Sequence, residues 1–153
     1  MNRRHLLKSL VLTALGSSLI APGSSAATPT PEKTGKNKPL KVGETLHFDK
    51  DLSIKFLSVK KDHRCPINAR CITAGDAEVL LRVKVGSGKP RIVSLHTDEE
   101  PNSHVFAVKY PKGTMGIPKS YLVSIGSLNP LPYAGRKTRQ SDYRLRLAIS
   151  TAV

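Results

Sequence analysis

The chain has 153 residues, enough for one domain and one core, and carries 25 Lys and Arg against 11 Asp and Glu, a formal charge of +14. Its longest apolar run falls short of the roughly 20 residues that a transmembrane helix needs. A charge of this size bears on partners rather than fold, and favours anionic lipid head groups, lipopolysaccharide, acidic polysaccharide, extracellular nucleic acid or an acidic protein.

Residues 1–26 read as a signal peptide: Arg3, Arg4 and Lys8 make a positive start, residues 9–20 are apolar and free of acids, and Ser24-Ser25-Ala26 offers a small-x-small cleavage site. Cleavage is expected after Ala26, with Ala27 as the alternative. No Cys follows the apolar run, which excludes the lipid anchor of bacterial lipoproteins. Arg3-Arg4 followed by Leu6-Leu7-Lys8 resembles the twin-arginine export signal, the alternative being an ordinary Sec signal. Removing residues 1–26 takes away three cations and no acid, leaving 22 against 11, a charge of +11. The expected location is periplasmic or secreted. Residues 27–39, rich in Pro, Thr and Lys and without a large apolar side chain until Leu40, form a flexible linker.

The domain expected over residues 40–153 reads almost entirely as strand. Residues 40–48 carry Val42, Leu46 and Phe48 around Gly43-Glu44, and Asp49-Lys50-Asp51 turns into a second run, residues 52–59. There Leu52, Ile54 and Phe56 alternate before the phase slips to Leu57 and Val59, the signature of a bulge or of a strand buried on both faces. From residue 77 to 85, Ala77, Val79, Leu81, Val83 and Val85 take one face, and Glu78, Arg82 and Lys84 the other. Gly86-Ser87-Gly88-Lys89-Pro90 is a hairpin turn, with residues 91–97 as the returning arm. A polar tip, residues 98–103, precedes a strand over 105–110, and Pro and Gly mark a long loop over 111–118. Strands over 121–128 and 143–149 flank a basic loop with Arg136, Lys137 and Arg139. About seven strands without a helical period predict an all-β antiparallel β-sandwich or open barrel, and the sandwich is the expected fold. The absence of Trp removes the immunoglobulin signature.

Cys65 and Cys71 in an oxidising compartment read as one disulfide closing a small loop. Five intervening residues do not fit a redox Cys-x-x-Cys. The expected role is a staple that orients entry into the strand after Gly75, a position that demands positive φ or a tight backbone. An inhibitor-like loop presenting Arg64 or Arg70 to a protease is the other reading.

The block Val59-x-x-Asp62-x-Arg64-Cys65-Pro66-x4-Cys71-x-x-Ala74-Gly75-x-Ala77-x-Val79-x-Leu81 resembles a family of small secreted or lipid-anchored bacterial proteins of unknown function. Their motif runs Asp-Ser-Arg-Cys-Pro, four variable residues, Cys, an aromatic-bearing pair and Ala-Gly; here His63 replaces the Ser and Thr73 the aromatic. The likeness extends to Gly43-Glu44, to Leu128-x-Pro130-x-Pro132 and to Asp142-Tyr143-x-Leu145-x-Leu147. It implies the fold and the disulfide, and no activity.

Two constellations carry possible chemistry. Arg82 and Lys84 on one strand, Arg144 and Arg146 on another, and Arg136, Lys137 and Arg139 in the loop between would make a cationic stripe if those strands are neighbours. Few aromatics interleave with them, so sequence-specific nucleic-acid reading is not expected. His96, Asp98, Glu99, Glu100 and His104 gather imidazoles and carboxylates in one supposed hairpin tip, a set suited to zinc, copper or nickel. No esterase elbow, zincin or phosphate-loop motif is present. The expectation is a monomeric, exported, non-enzymatic binding or accessory domain without a cofactor, for an anionic envelope component or acidic protein. A periplasmic metal-binding protein and a protease inhibitor are the alternatives.

Overall fold

The computed structural model describes residues 38–110, 112–113 and 117–152. The predicted signal peptide, nearly all of the linker and Val153 lie outside the described residues. Eight strands follow in order: β1 (Leu40–Lys41), β2 (Thr45–His47), β3 (Leu52–Asp62), β4 (Ala77–Val85), β5 (Arg91–His96), β6 (Ser103–Ala107), β7 (Ser120–Asn129) and β8 (Arg144–Ala152). They form two antiparallel four-stranded sheets, β2-β3-β4-β5 and β1-β8-β7-β6. No described helix is long and apolar enough to cross a membrane.

The period-two alternation explains the layering. Leu52, Ile54, Phe56 and Val59 of β3, Ala77, Val79, Leu81 and Val83 of β4 and Leu95 of β5 are buried in one core with Phe106, Tyr121, Val123, Leu128, Leu145, Leu147 and Ile149 from the other sheet. The slip in β3 is a bulge: the register with β4 shifts between Phe56 and Ser58, and again between Val59 and Lys61. This returns Val59 to the core after the half-buried Leu57.

The predicted single strand over residues 40–48 is instead two. Gly43 takes φ of +86°, the Glu44 N–H donates to the Lys41 carbonyl at 3.0 Å, and the Glu44 carboxylate accepts the Lys41 N–H at 2.9 Å. The turn moves the chain from one sheet to the other, so Leu40 pairs with Leu145 while Leu46 pairs with Ile54. A Gly-Glu pair looks innocuous inside an apolar run, yet Gly alone accepts that φ without strain.

Two polar clusters fasten the sheets together at opposite ends of β3. At one, Asp49 accepts the Asp51 and Leu52 N–H groups, each at 2.8 Å, and takes Lys119 Nζ at 2.6 Å and the Tyr121 hydroxyl at 2.5 Å from the start of β7. Burial works to raise the Asp49 pKa, but the bonds from Lys119, Tyr121 and the two N–H groups prevail and hold it at about 2. The other cluster is centred on Arg64.

Candidate functional site

The disulfide loop is built from the base upward. Arg64, 9% exposed, sends Nε and Nη2 to the two carboxylate oxygens of Asp62 at 2.8 and 2.7 Å. Its remaining donors reach across the sandwich to the carbonyls of Leu128 at 2.5 Å and Pro130 at 2.8 Å. A guanidinium suits this role because its planar fork serves a carboxylate and two backbone acceptors at once. The Tyr143 hydroxyl donates to Asp62 Oδ2 at 2.9 Å; burial and this bond to a carboxylate push the tyrosine up to about 12. Burial opposes ionisation of Asp62, but Arg64 and Tyr143 outweigh it and leave its pKa lowered.

Above this base, Cys65 and Cys71 are joined. The Cys65 N–H donates to the Ala74 carbonyl at 2.6 Å and the His63 N–H to the Asp76 carbonyl at 2.7 Å, which makes the loop a closed ladder. Gly75 has φ of +71°, and a Cβ there would lie 2.1 Å from the His63 carbonyl oxygen, so both parts of the expectation for this glycine are met. Two further bonds tie the loop to the β7–β8 connection: Ile67 N–H to the Pro132 carbonyl at 3.0 Å, and Ala134 N–H to Asn68 Oδ1 at 2.7 Å. Burial of Arg64 removes it as a residue offered to a protease; Arg70 is the exposed arginine of the loop.

The seven cations do not form one stripe. β4 and β8 belong to different sheets, so Arg82 and Lys84 stand on the outer face of one and Arg146, with the half-buried Arg144, on the outer face of the other, with the core between. Arg136, Lys137 and Arg139 occupy the β7–β8 connection at the disulfide end, where Arg139 is engaged by Asp142 at 3.1 Å. Arg144 is spent locally on the carbonyls of Ser141 and Tyr143, at 2.7 and 2.8 Å. In place of the stripe the structure sets Lys55 of β3 directly opposite Arg82, with Lys84 opposite Ser53 one step along. Lys55 was legible in its alternation with Ile54 and Phe56, but only the pairing of β3 with β4 reveals its neighbour. Glu78, the acid on the outer face of these strands, is held by Lys60 at 3.0 Å and by the Ser94 hydroxyl at 2.8 Å.

The supposed metal-binding tip is not a hairpin. β5 and β6 lie in different sheets, and residues 97–102 cross between them. His96 and His104 therefore part company: His104 packs against Phe106 with ring centroids 4.6 Å apart, while His96 Nδ1 lies 2.6 Å from Asp76 Oδ2. Ligand-type atoms of Asp76, His96 and Glu99 lie within 4.8 Å of one another; Asp98, Glu100 and His104 are not in that group. Asp76 Oδ1 caps the crossing by accepting the Thr97 and Asp98 N–H groups at 2.9 and 3.1 Å. Burial would raise its pKa, but His96 and the N–H groups of Asp98 and Glu99 hold it at about 2. His63, two residues before Cys65, has no thiolate partner because both cysteines are in the disulfide.

A polar cavity of about 210 Å³ is lined by Asp62, Arg136, Lys137, Gln140 and Tyr143. Gln140 there bonds the Val59 backbone in both directions, at 3.0 and 2.7 Å. In comparisons with known proteins, no family model matches the chain, and no curated protein or solved structure matches it either.

Proposed function

We propose that this chain is an exported, non-enzymatic binding domain that holds an anionic component of the cell envelope on the outer face of the β2-β3-β4-β5 sheet. The observation that carries the reading is Lys55 directly across from Arg82, with Lys84 beside them. Like charges opposite each other on neighbouring strands are destabilising, and Glu78, the acid further along the same face of β4, is already taken by Lys60. An anionic ligand relieves that repulsion and releases counterions as it binds. The strongly held acids Asp49, Asp62 and Asp76 all serve as structural anchors between strands and loops, which leaves binding rather than acid–base work as the favoured role. The disulfide is in keeping with an oxidising compartment outside the cytoplasm.

Retention on immobilised heparin, followed from low to high salt, tests this. Wild-type protein is expected to elute progressively earlier as salt rises, and a Lys55→Ser, Arg82→Ser, Lys84→Ser variant to lose about one unit of log-log salt slope for each cation removed. Retention indifferent to both salt and the triple substitution would sink the reading.

A second reading rests on Asp76, His96 and Glu99, whose imidazole and two carboxylates suit a divalent transition metal. Stoichiometric zinc that survives gel filtration in wild type and is absent from His96→Ala would establish it; metal content equal in the two proteins would remove it.

A further inference from the structure

The disulfide end of the sandwich exposes apolar side chains that the fold does nothing to cover. Ile72 is fully exposed, and Ile67, Leu131 and Tyr133 are 64%, 51% and 49% exposed. Isolated surface apolar residues are ordinary, but these four come from two loops bound to each other by the Ile67–Pro132 and Asn68–Ala134 hydrogen bonds. Arg70 lies on the first loop and Arg136 and Lys137 on the second, all exposed and none in an ion pair among the described residues. Apolar tips beside unpaired cations match the cross-section of an anionic bilayer surface, where hydrocarbon lies just beneath phosphate.

We propose that the paired loops dock this domain on the surface of an anionic lipid bilayer, with Ile67, Ile72, Leu131 and Tyr133 entering the interface and Arg70, Arg136 and Lys137 meeting the phosphates. The proposal rests on the preceding reading only for the sign of the ligand's charge, since it uses a different surface. Side chains alone enter, because irregular loop backbone placed in hydrocarbon would leave its N–H and carbonyl groups unbonded. Tyr133 suits the boundary, its ring apolar and its hydroxyl wet. Each cation close to an anionic surface contributes about fivefold in affinity. The Arg64 clamp and the disulfide hold the loops ready, so little ordering entropy is lost on docking. Asp98, Glu99 and Glu100 lie at the same end, on the β5–β6 crossing that Asp76 ties to the foot of the disulfide loop, so Arg70, Arg136 and Lys137 meet the phosphates against the repulsion of these acids.

Co-sedimentation with phosphatidylcholine vesicles, with and without phosphatidylglycerol, tests the proposal alongside heparin retention. Wild type is expected to partition onto the phosphatidylglycerol vesicles, and Ile67→Ser, Ile72→Ser to lose at least about tenfold in partition while its heparin elution and thermal midpoint stay unchanged. Because the chain has no Trp, Ile72→Trp supplies a single indole, excited apart from the tyrosines, whose emission should shift to the blue when those vesicles are added. Heparin retention without vesicle binding would overturn this proposal and spare the preceding one. Vesicle binding kept by the isoleucine variant but lost by the Lys55, Arg82 and Lys84 variant would also overturn it, by assigning lipid contact to the sheet face. A dimer abolished by Ile67→Ser, Ile72→Ser, without vesicle binding, would overturn it in favour of a second copy of the chain.

Discussion

Gly75 shows how much a single residue decides at the base of the disulfide loop. Its φ of +71° already disfavours a side chain, and a methyl group would meet the His63 carbonyl oxygen at 2.1 Å, a backbone atom, with no flexible group to give way. Gly75→Ala is therefore expected to cost about 2–4 kcal/mol, read as a lower urea midpoint at unchanged slope. A midpoint unmoved by the substitution would mean that the loop re-forms freely around the methyl. The demand for glycine was legible from its place between a disulfide loop and a strand. The burial of Arg64 was not, since arginine is seldom buried, and its carbonyl partners at Leu128 and Pro130 lie 64 and 66 residues away.

At the scale of elements, alternation located seven runs because each strand has one face in the core. It failed at Val42-Gly43-Glu44, where a strand leaves one sheet for the other without any break in apolar pattern. Alternation also tells which face of its own strand a cation occupies and says nothing of which strand lies beside it. Arg82 and Arg146 could thus be read as outward-facing, but not as standing on opposite sides of the core. The disulfide belongs to this scale as well. Its seven-residue loop corresponds to about 2–2.5 kcal/mol of chain entropy, and the Arg64 clamp and the Cys65–Ala74 hydrogen bond are made by groups other than the two sulfurs. Cys65→Ser, Cys71→Ser should lose about that much in urea unfolding while keeping the strand signal in far-ultraviolet circular dichroism at 25 °C. Loss of the strand signal would show instead that the bond is required for folding.

For the whole molecule, the fastenings between and around the sheets set the pH range of stability. Asp49 and Asp76 are held at about 2 against an ordinary 3.8, and Asp62 is lowered as well. Their stabilisation is complete above the unfolded value near 4 and is lost as pH falls from there through 2. For Asp49 and Asp76, whose side chains are mostly shielded, it amounts to about 2 kcal/mol each. Tyr121 and Tyr143 are raised to about 12, Tyr121 by burial and then by its bond to Asp49, so their contribution holds below 10 and disappears between 10 and 12. The thermal midpoint should accordingly be level from about pH 4 to 10 and fall on both sides, with the acid limb shallower in Asp49→Asn. An acid limb of the same steepness in that variant would show that Asp49 is not a source of it.

The crossing at Gly43 also sets an order of events for the chain in time. β2, β3, β4 and β5 are consecutive in sequence and adjacent in space, and so are β6, β7 and β8. Each group is a meander whose pairings span short separations and close quickly. The exception is β1, whose Leu40 finds its partner only in Leu145. Loop-closure entropy makes such a distant contact slow, so the two meanders are expected to form first and the two-residue strand to complete the second sheet last, read as later amide protection in β1 than in β7. The residue that lets the chain change sheets is thereby the one through which its first strand is joined to its last.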